Sequence, residues 1–199
     1  LSTSAIAGLF AWIGVVSFGS ISHADENAAA AFSGSRPNIV LILVDDMGYS
    51  DLGCYGSRVN ETPHIDALAT SGLRFTDFHS SAPMCTPTRV ATLTGLYQQR
   101  FGSRFDTAIS GVKDRDRGLP HEAVTIAEVL RPLEYRSACF GKWHLGYQPP
   151  WLPTSQGFDL FRGLVSGDGD FHTRIDRSGN EDWWHNERIE MVRGYTTDL

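Results

Sequence analysis

The stretch Asn38–Val44 (NIVLILV) constrains this chain more than any other. Its apolar residues follow one another without alternation, and most are β-branched. Such a run predicts a central strand covered on both faces, the pattern of a parallel sheet with helices packed on either side. It ends abruptly in two carboxylates, Asp45-Asp46, followed by Met47-Gly48.

The segments after it alternate in type. Thr62-Pro63 followed by HIDALATSG predicts a short helix, with Thr62 as cap, Pro63 at the first helical position and Gly72 closing it. Leu73–Phe78 (LRFTDF) alternates like a strand. Pro87–Leu93 reads as the start of a helix that Gly95 stops. Thr125-Ile126-Ala127-Glu128 has the spacing of a capping box, and Pro132 predicts that its helix ends or kinks near Arg131. Ser137–Gly141 reads as a short strand leading into Lys142-Trp143-His144. Trp151–Leu199 reads as loops with short elements. Helices between apolar strands predict an α/β domain with a largely parallel sheet, in which ligands bind beyond the carboxyl ends of strands. Asp45-Asp46 and Lys142/His144 both follow a strand end, so residues far apart in sequence are expected on one face.

A chain of 199 residues suffices for one domain with a real core. Net charge is −6 with no dense Lys/Arg block, which argues against nucleic acid as a partner. Ala5–Ile21 is apolar and uncharged, and Ser22-His23-Ala24 suits a small-x-small cleavage site. Residues 1–24 therefore read as a secretory signal whose n-region is missing; the alternative is a membrane anchor, for which the run is short. No stable membrane span is expected, and the protein is expected to be exported, periplasmic or secreted. Residues 25–36 read as a linker and 37–199 as the domain. The chain opens on Leu1 and stops at GYTTDL, and truncation at both ends is expected.

Three positions carry the chemistry. Asp45 and Asp46 repel each other after a buried strand, a cost that Ca²⁺ or Mg²⁺ relieves; a solvated turn or a helix cap is the alternative. Lys142 can bind an anionic ester and His144 can move protons near neutral pH, between glycines that permit tight turns; a surface loop with Trp143 packed inward is the alternative. Cys85, two residues before Pro87, is expected at a helix entry, where free N–H groups and the helix dipole favour negative charge. Arg89 stands one turn on. This describes an anion-binding nucleophile with a lowered pKa, or else a buried core cysteine. Cys54 and Cys139 read as reduced and buried, or as a disulfide pair. Asp168-Gly169-Asp170 reads as a polar turn or a second cation loop. His172, Trp183, Trp184 and His185 read as a sugar pocket or as a packed loop.

Four blocks then stand in a telling order: PNIVLILVDDMGYSDLGCYG, TPHIDALATSGLRFTDFHSSAPMCTPTRVATLTGLY, YRSACFGKWHLG and GFDLFRG. With C-x-P-x-R at Cys85–Arg89 and GKWHLG at Gly141–Gly146, the chain resembles the N-terminal part of a sulfatase of the alkaline-phosphatase-like superfamily. The resemblance implies an α/β sandwich, incomplete in this chain. It implies that a formylglycine-generating enzyme converts Cys85 to formylglycine. The hydrated aldehyde attacks sulfur with one hydroxyl and releases sulfate with the other. It further implies that Asp45, Asp46 and the modified Cys85 hold Ca²⁺ (or Mg²⁺), that Arg89 steadies the diol, that Lys142 binds sulfate and that His144 takes a proton. Position 88 is Thr where Ser is commonest, and Leu96 stands where Arg is frequent. The family's Asp-Asn metal pair, leaving-group histidine and second lysine have no equivalents before Leu199, so half a metal site is expected. The implied partner is a sulfated small molecule or glycan. Rival readings are a phosphodiester or phosphonate monoester hydrolase on the same scaffold, and a non-catalytic fragment that binds sulfated glycans.

Overall fold

A computed structural model describes residues 36–198, in two units divided between Val44 and Asp45. The expected secretory signal lies outside the described residues, as does all of the expected linker except Arg36.

In the first unit the expected strand is not formed. Asn38–Val44 is irregular, and its apolar side chains are exposed, Val40 at 82%. A strand is made by its neighbours as much as by its own residues, and no ladder forms on this segment among the described residues. Leu73–Phe78, the second expected strand, is likewise irregular and exposed.

The second unit carries three helices, α1 (Pro63–Ser71), α2 (Cys85–Thr94) and α3 (Ile126–Leu130), and four strands, β1 (Ala138–Lys142), β2 (Leu160–Leu164), β3 (Trp184–His185) and β4 (Arg188–Ile189). The sheet order is β1-β2-β3-β4. Its central pair, β1 with β2, is parallel as expected, with Cys139 opposite Phe161 and Gly141 opposite Gly163. The other pairings are antiparallel, so the described sheet is mixed. The cause is the hairpin Trp184–Ile189, whose two-residue turn uses Asn186 at φ 55, a conformation Asn tolerates. Asn186 also fastens the hairpin to β2, its Oδ1 accepting from Phe161 N at 2.9 Å.

The helix signals were mostly read correctly. Pro63 begins α1, but Thr62 caps no N–H of its own helix. Its hydroxyl instead accepts from Gly53 N at 2.8 Å and donates to Asp66 at 3.0 Å, stapling the preceding turn to the helix. Gly72 ends α1 in an extended conformation, not a left-handed one. Gly95 does close α2 at φ 68. The capping box at α3 is complete, and the helix passes into a 3-10 turn at Arg131–Leu133, where Pro132 removes a donor.

Trp143, Leu145, Tyr147, Phe161, Val165 and Trp184 form the centre of the core. Gly163 lies where β1 and β2 approach most closely: a Cβ there would stand 2.0 Å from Gly141 O. Among the described residues no helix is long and apolar enough to cross a membrane.

Candidate active site

The residues singled out in sequence meet at the end of β1 and the start of α2. Cys85 is the first residue of α2, half-buried, after Met84 in an extended conformation. No side chain caps this helix end, so the partial positive charge of its first turn stands at the cysteine.

β1 delivers the partners. The parallel ladder runs on past Lys142, with Trp143 N donating to Leu164 O at 2.8 Å and His144 N to Val165 O at 3.1 Å. The backbone then turns at His144, which has φ 56, a left-handed conformation rare for a residue with a side chain. This turn brings the imidazole against Cys85, with Nδ1 3.1 Å from Sγ. The other nitrogen, Nε2, is 2.8 Å from Ile109 O. A carbonyl can only accept, so Nε2 carries the hydrogen and Nδ1 presents its lone pair to Cys85. Gly167 covers the ring: a Cβ there would stand 2.2 Å from His144 Cε1.

Burial pushes the His144 pKa down to about 4, against the raising effect of Ile109 O, and the nearby charges of Lys142 and Arg89 lower it further. The ring is therefore neutral at pH 7 and stands ready as a proton acceptor. The same shift has a consequence for stability. Below its ordinary value of 6.5 the unfolded histidine takes up a proton that the folded one refuses until about pH 4. Stability is thus fully present above pH 6.5 and declines as pH falls toward 4, by on the order of 3 kcal/mol. Denaturant midpoints of the full-length protein across this window should fall with pH, and the slope should flatten in His144→Asn. An equal slope in both proteins would show that His144 is not the source.

Arg89 and Lys142 share Asp45. Lys142 Nζ lies 2.6 Å from Asp45 Oδ2, and an Arg89 nitrogen lies 3.5 Å from Oδ1. Arg89 also donates to Lys142 O, while its Nε is buried without a partner among the described residues. Partial burial pushes the Asp45 carboxyl up, but the hydrogen bond and charge of Lys142, with Arg89, outweigh this and hold it below the usual carboxylate range. Asp46, exposed and at φ 54, is not drawn into this network among the described residues. The donor chemistry of Asp45 and Asp46 suits a hard divalent cation, but the donor count does not. Ca²⁺ takes about six to eight oxygens. Among the described residues no three His, Cys, Asp or Glu side chains gather, and both Asp45 oxygens already face cationic side chains.

At the remaining positions, where two readings stood open, the structure favours one. Trp183 and Trp184 follow the packed-loop reading: both are buried, and Trp184 Nε1 donates to Asp182 at 2.9 Å. Asp170 is a turn residue, its Oδ1 accepting from the backbone N–H groups of His172 and Thr173. Asp168 pairs with Arg177 at 2.5 Å. Cys54 and Cys139 are free thiols, each half-buried.

The sequence reading missed Thr86, Ile109 and Tyr147. Thr86 is fully buried; its hydroxyl donates to His144 O at 3.0 Å and accepts from Ile109 N at 3.2 Å. Tyr147 OH donates to Ile109 O at 2.9 Å. The position of Thr86 inside C-x-P-x-R was the available signal. Ile109 acts through its backbone and left none.

Fold and site together define an α/β protein with a cysteine–histidine centre in an anion-attracting field at the end of a parallel strand. The family model for Sulfatase matches residues 37–196. The chain belongs to the sulfatase family. It is 48% identical to human arylsulfatase A over 139 residues, covering 68% of this chain and 27% of that protein. The PsFucS1 sulfatase from Pseudoalteromonas sp. matches with a TM-score of 0.61 and 36% identity, over 75% of this chain and 30% of that one. Ps i-CgsB in complex with k-i-k-neocarrahexaose matches with a TM-score of 0.73 and 31% identity, over 82% of this chain and 39% of that one. The chain thus spans about a quarter of the curated relative it matches.

Proposed function

We propose that the full-length protein hydrolyses sulfate esters at Cys85, with Cys85 converted to formylglycine. The observation that carries this reading is the contact of Cys85 Sγ with His144 Nδ1 at 3.1 Å, on the nitrogen that lacks a hydrogen. Here Sγ marks the place of a diol hydroxyl. A hydroxyl there would meet a proton acceptor, the helix N-terminus and Arg89 one turn away, so the surroundings fit the modified residue. When formed, the hydrated aldehyde supplies two hydroxyls, one to attack sulfur and one to release the product.

The side chains have separable tasks. Lys142 and Arg89, with the uncapped start of α2, attract and orient the anionic sulfate group. His144 Nδ1 accepts a proton from the group at position 85, and Ile109 O keeps the opposite nitrogen protonated so that Nδ1 stays available. Burial keeps the ring neutral, which preserves this capacity at neutral pH. Cation binding belongs to the same proposal. Asp45, Asp46 and the group at position 85 would hold Ca²⁺ or Mg²⁺ together with donors that the described residues do not supply, and the cation would withdraw charge from the sulfate. Export, with residues 1–24 as the signal and 25–36 as the linker, also belongs here, since Ala5–Ile21 is apolar and ends in a small-x-small sequence. The oligosaccharide held by Ps i-CgsB makes a sulfated glycan the favoured substrate class.

The test is hydrolysis of an aryl sulfate and a matched aryl phosphonate by the full-length protein, with mass spectrometry of the peptide that contains Cys85. An aldehyde at position 85 with a preference for the sulfate is the expected result. A preference for the phosphonate, or an unmodified thiol in a host that modifies other sulfatases, would refute the reading.

A further inference from the structure

We propose that Thr86 is a positioning residue that fixes the tautomer and aim of His144. It does so through a closed circuit of hydrogen bonds that passes through Ile109. The proposal goes beyond the function above and rests on it only where it concerns catalysis.

The circuit has three links, and a fourth bond, from Tyr147, braces it. Thr86 Oγ1 donates to His144 O at 3.0 Å and accepts from Ile109 N at 3.2 Å. Ile109 O then accepts from His144 Nε2 at 2.8 Å and from Tyr147 OH at 2.9 Å. The backbone and ring of His144 are thereby held by the two polar groups of one residue, and Thr86 joins them. Thr86, Ile109, His144 and Tyr147 are all buried, so water does not replace a lost link without cost.

Two features make the hydroxyl specific to the task. First, the site requires one side-chain atom to donate and accept at once, which a hydroxyl does and an apolar isostere does not. Secondly, His144 has φ 56, a strained conformation that persists only where surrounding contacts over-determine it. The bond from Thr86 to His144 O and the ladder bond from His144 N to Val165 O hold its two sides. Thr86 is also the residue after Cys85. The group that holds the proton acceptor is therefore one residue from the group that gives up the proton, and the 3.1 Å contact between them is set over a short path.

Replacing Thr86 by Val keeps the shape but leaves His144 O and Ile109 N without partners. Ile109 is then held by Tyr147 OH alone, its carbonyl loses its fixed aim at the ring, and both tautomers become populated. Thr86→Ser keeps both bonds.

The experiment uses the full-length protein labelled with ¹⁵N-histidine, the His144 ring being identified by its absence from His144→Asn. Long-range proton–nitrogen spectra should show one Nε2–H tautomer in the wild type and in Thr86→Ser, and mixed tautomers in Thr86→Val. Per aldehyde at position 85, kcat on an aryl sulfate should fall about 10- to 100-fold in Thr86→Val with KM unchanged, and stay within about threefold in Thr86→Ser. A wild-type ring spectrum in Thr86→Val would overturn the proposal, as would a loss in Thr86→Ser equal to that in Thr86→Val. Should Thr86→Val fail to fold, Thr86→Ala takes its place: mixed tautomers support the role and a single Nε2–H tautomer refutes it. If the wild type hydrolyses no sulfate ester, the functional reading falls while the ring spectra still decide the role of Thr86.

Discussion

Cys85→Ala in the full-length protein should lower kcat on an aryl sulfate by at least about 10⁴-fold, because it removes the atom on which the reacting group is built. Binding should survive. Lys142 and Arg89 keep their places through Asp45 and through the bond that Arg89 donates to Lys142 O, none of which involves Sγ. Affinity for a non-hydrolysed sulfated ligand should therefore change no more than about threefold. Stability should also change little, since Cys85 is half-buried and among the described residues its Sγ hydrogen-bonds to His144 Nδ1 alone, a bond the ring can give up while Nε2 stays bonded. Rates and ligand affinities measured side by side separate chemistry from binding. Residual turnover within about 10²-fold of wild type would mean that another group performs the reaction, since removal of a nucleophile costs far more.

How much of this was visible in the sequence depends on how local each feature is. Helix α2 was legible because Pro87 and Gly95 act within a few residues of themselves, and the α3 capping box for the same reason. The parallel pairing of Ala138–Lys142 was legible as a class, because an apolar strand between helices has few topologies open to it. The strand expected at Asn38–Val44 failed because its signal specifies burial on two faces, and burial is supplied by other segments. Within the site, Cys85, Arg89, Lys142 and His144 were candidates by residue type with alternatives open, and the ordered motifs singled them out through the family resemblance. The orientation of His144 depends on Ile109, whose carbonyl chooses its tautomer and which any residue type could have supplied. The left-handed turn at His144 was hidden for a related reason: a conformation imposed by tertiary bonds contradicts the preference of the residue that adopts it. At Trp183 and Trp184 composition left a ligand surface and a packed loop open, and packing decides for the second.

Trp143→Ala should be the most destabilising of the substitutions considered, by about 3–5 kcal/mol. The side chain is 1% exposed, packs edge-on against Phe158 with centroids 6.1 Å apart, and donates from Nε1 to Trp151 O at 2.8 Å. Truncation leaves a cavity and an unpaired carbonyl together, and the surrounding core residues Leu145, Tyr147 and Phe161 lie too deep to close it easily. Trp143→Phe fills most of the volume but keeps the unpaired carbonyl, so it should cost about 1–2 kcal/mol. Activity should fall further than stability explains. Trp143 stands between Lys142 and His144, and its N–H bond to Leu164 O continues the ladder that aims both neighbours. A shift of about 1 Å in such a segment can cost about 10²-fold in rate. Chemical denaturation of the full-length protein, with kcat measured well below the unfolding transition, tests both parts. A loss under about 1 kcal/mol for Trp143→Ala would show that the core does not depend on this ring. A destabilised but fully active Trp143→Ala would show that Lys142 and His144 are held without it.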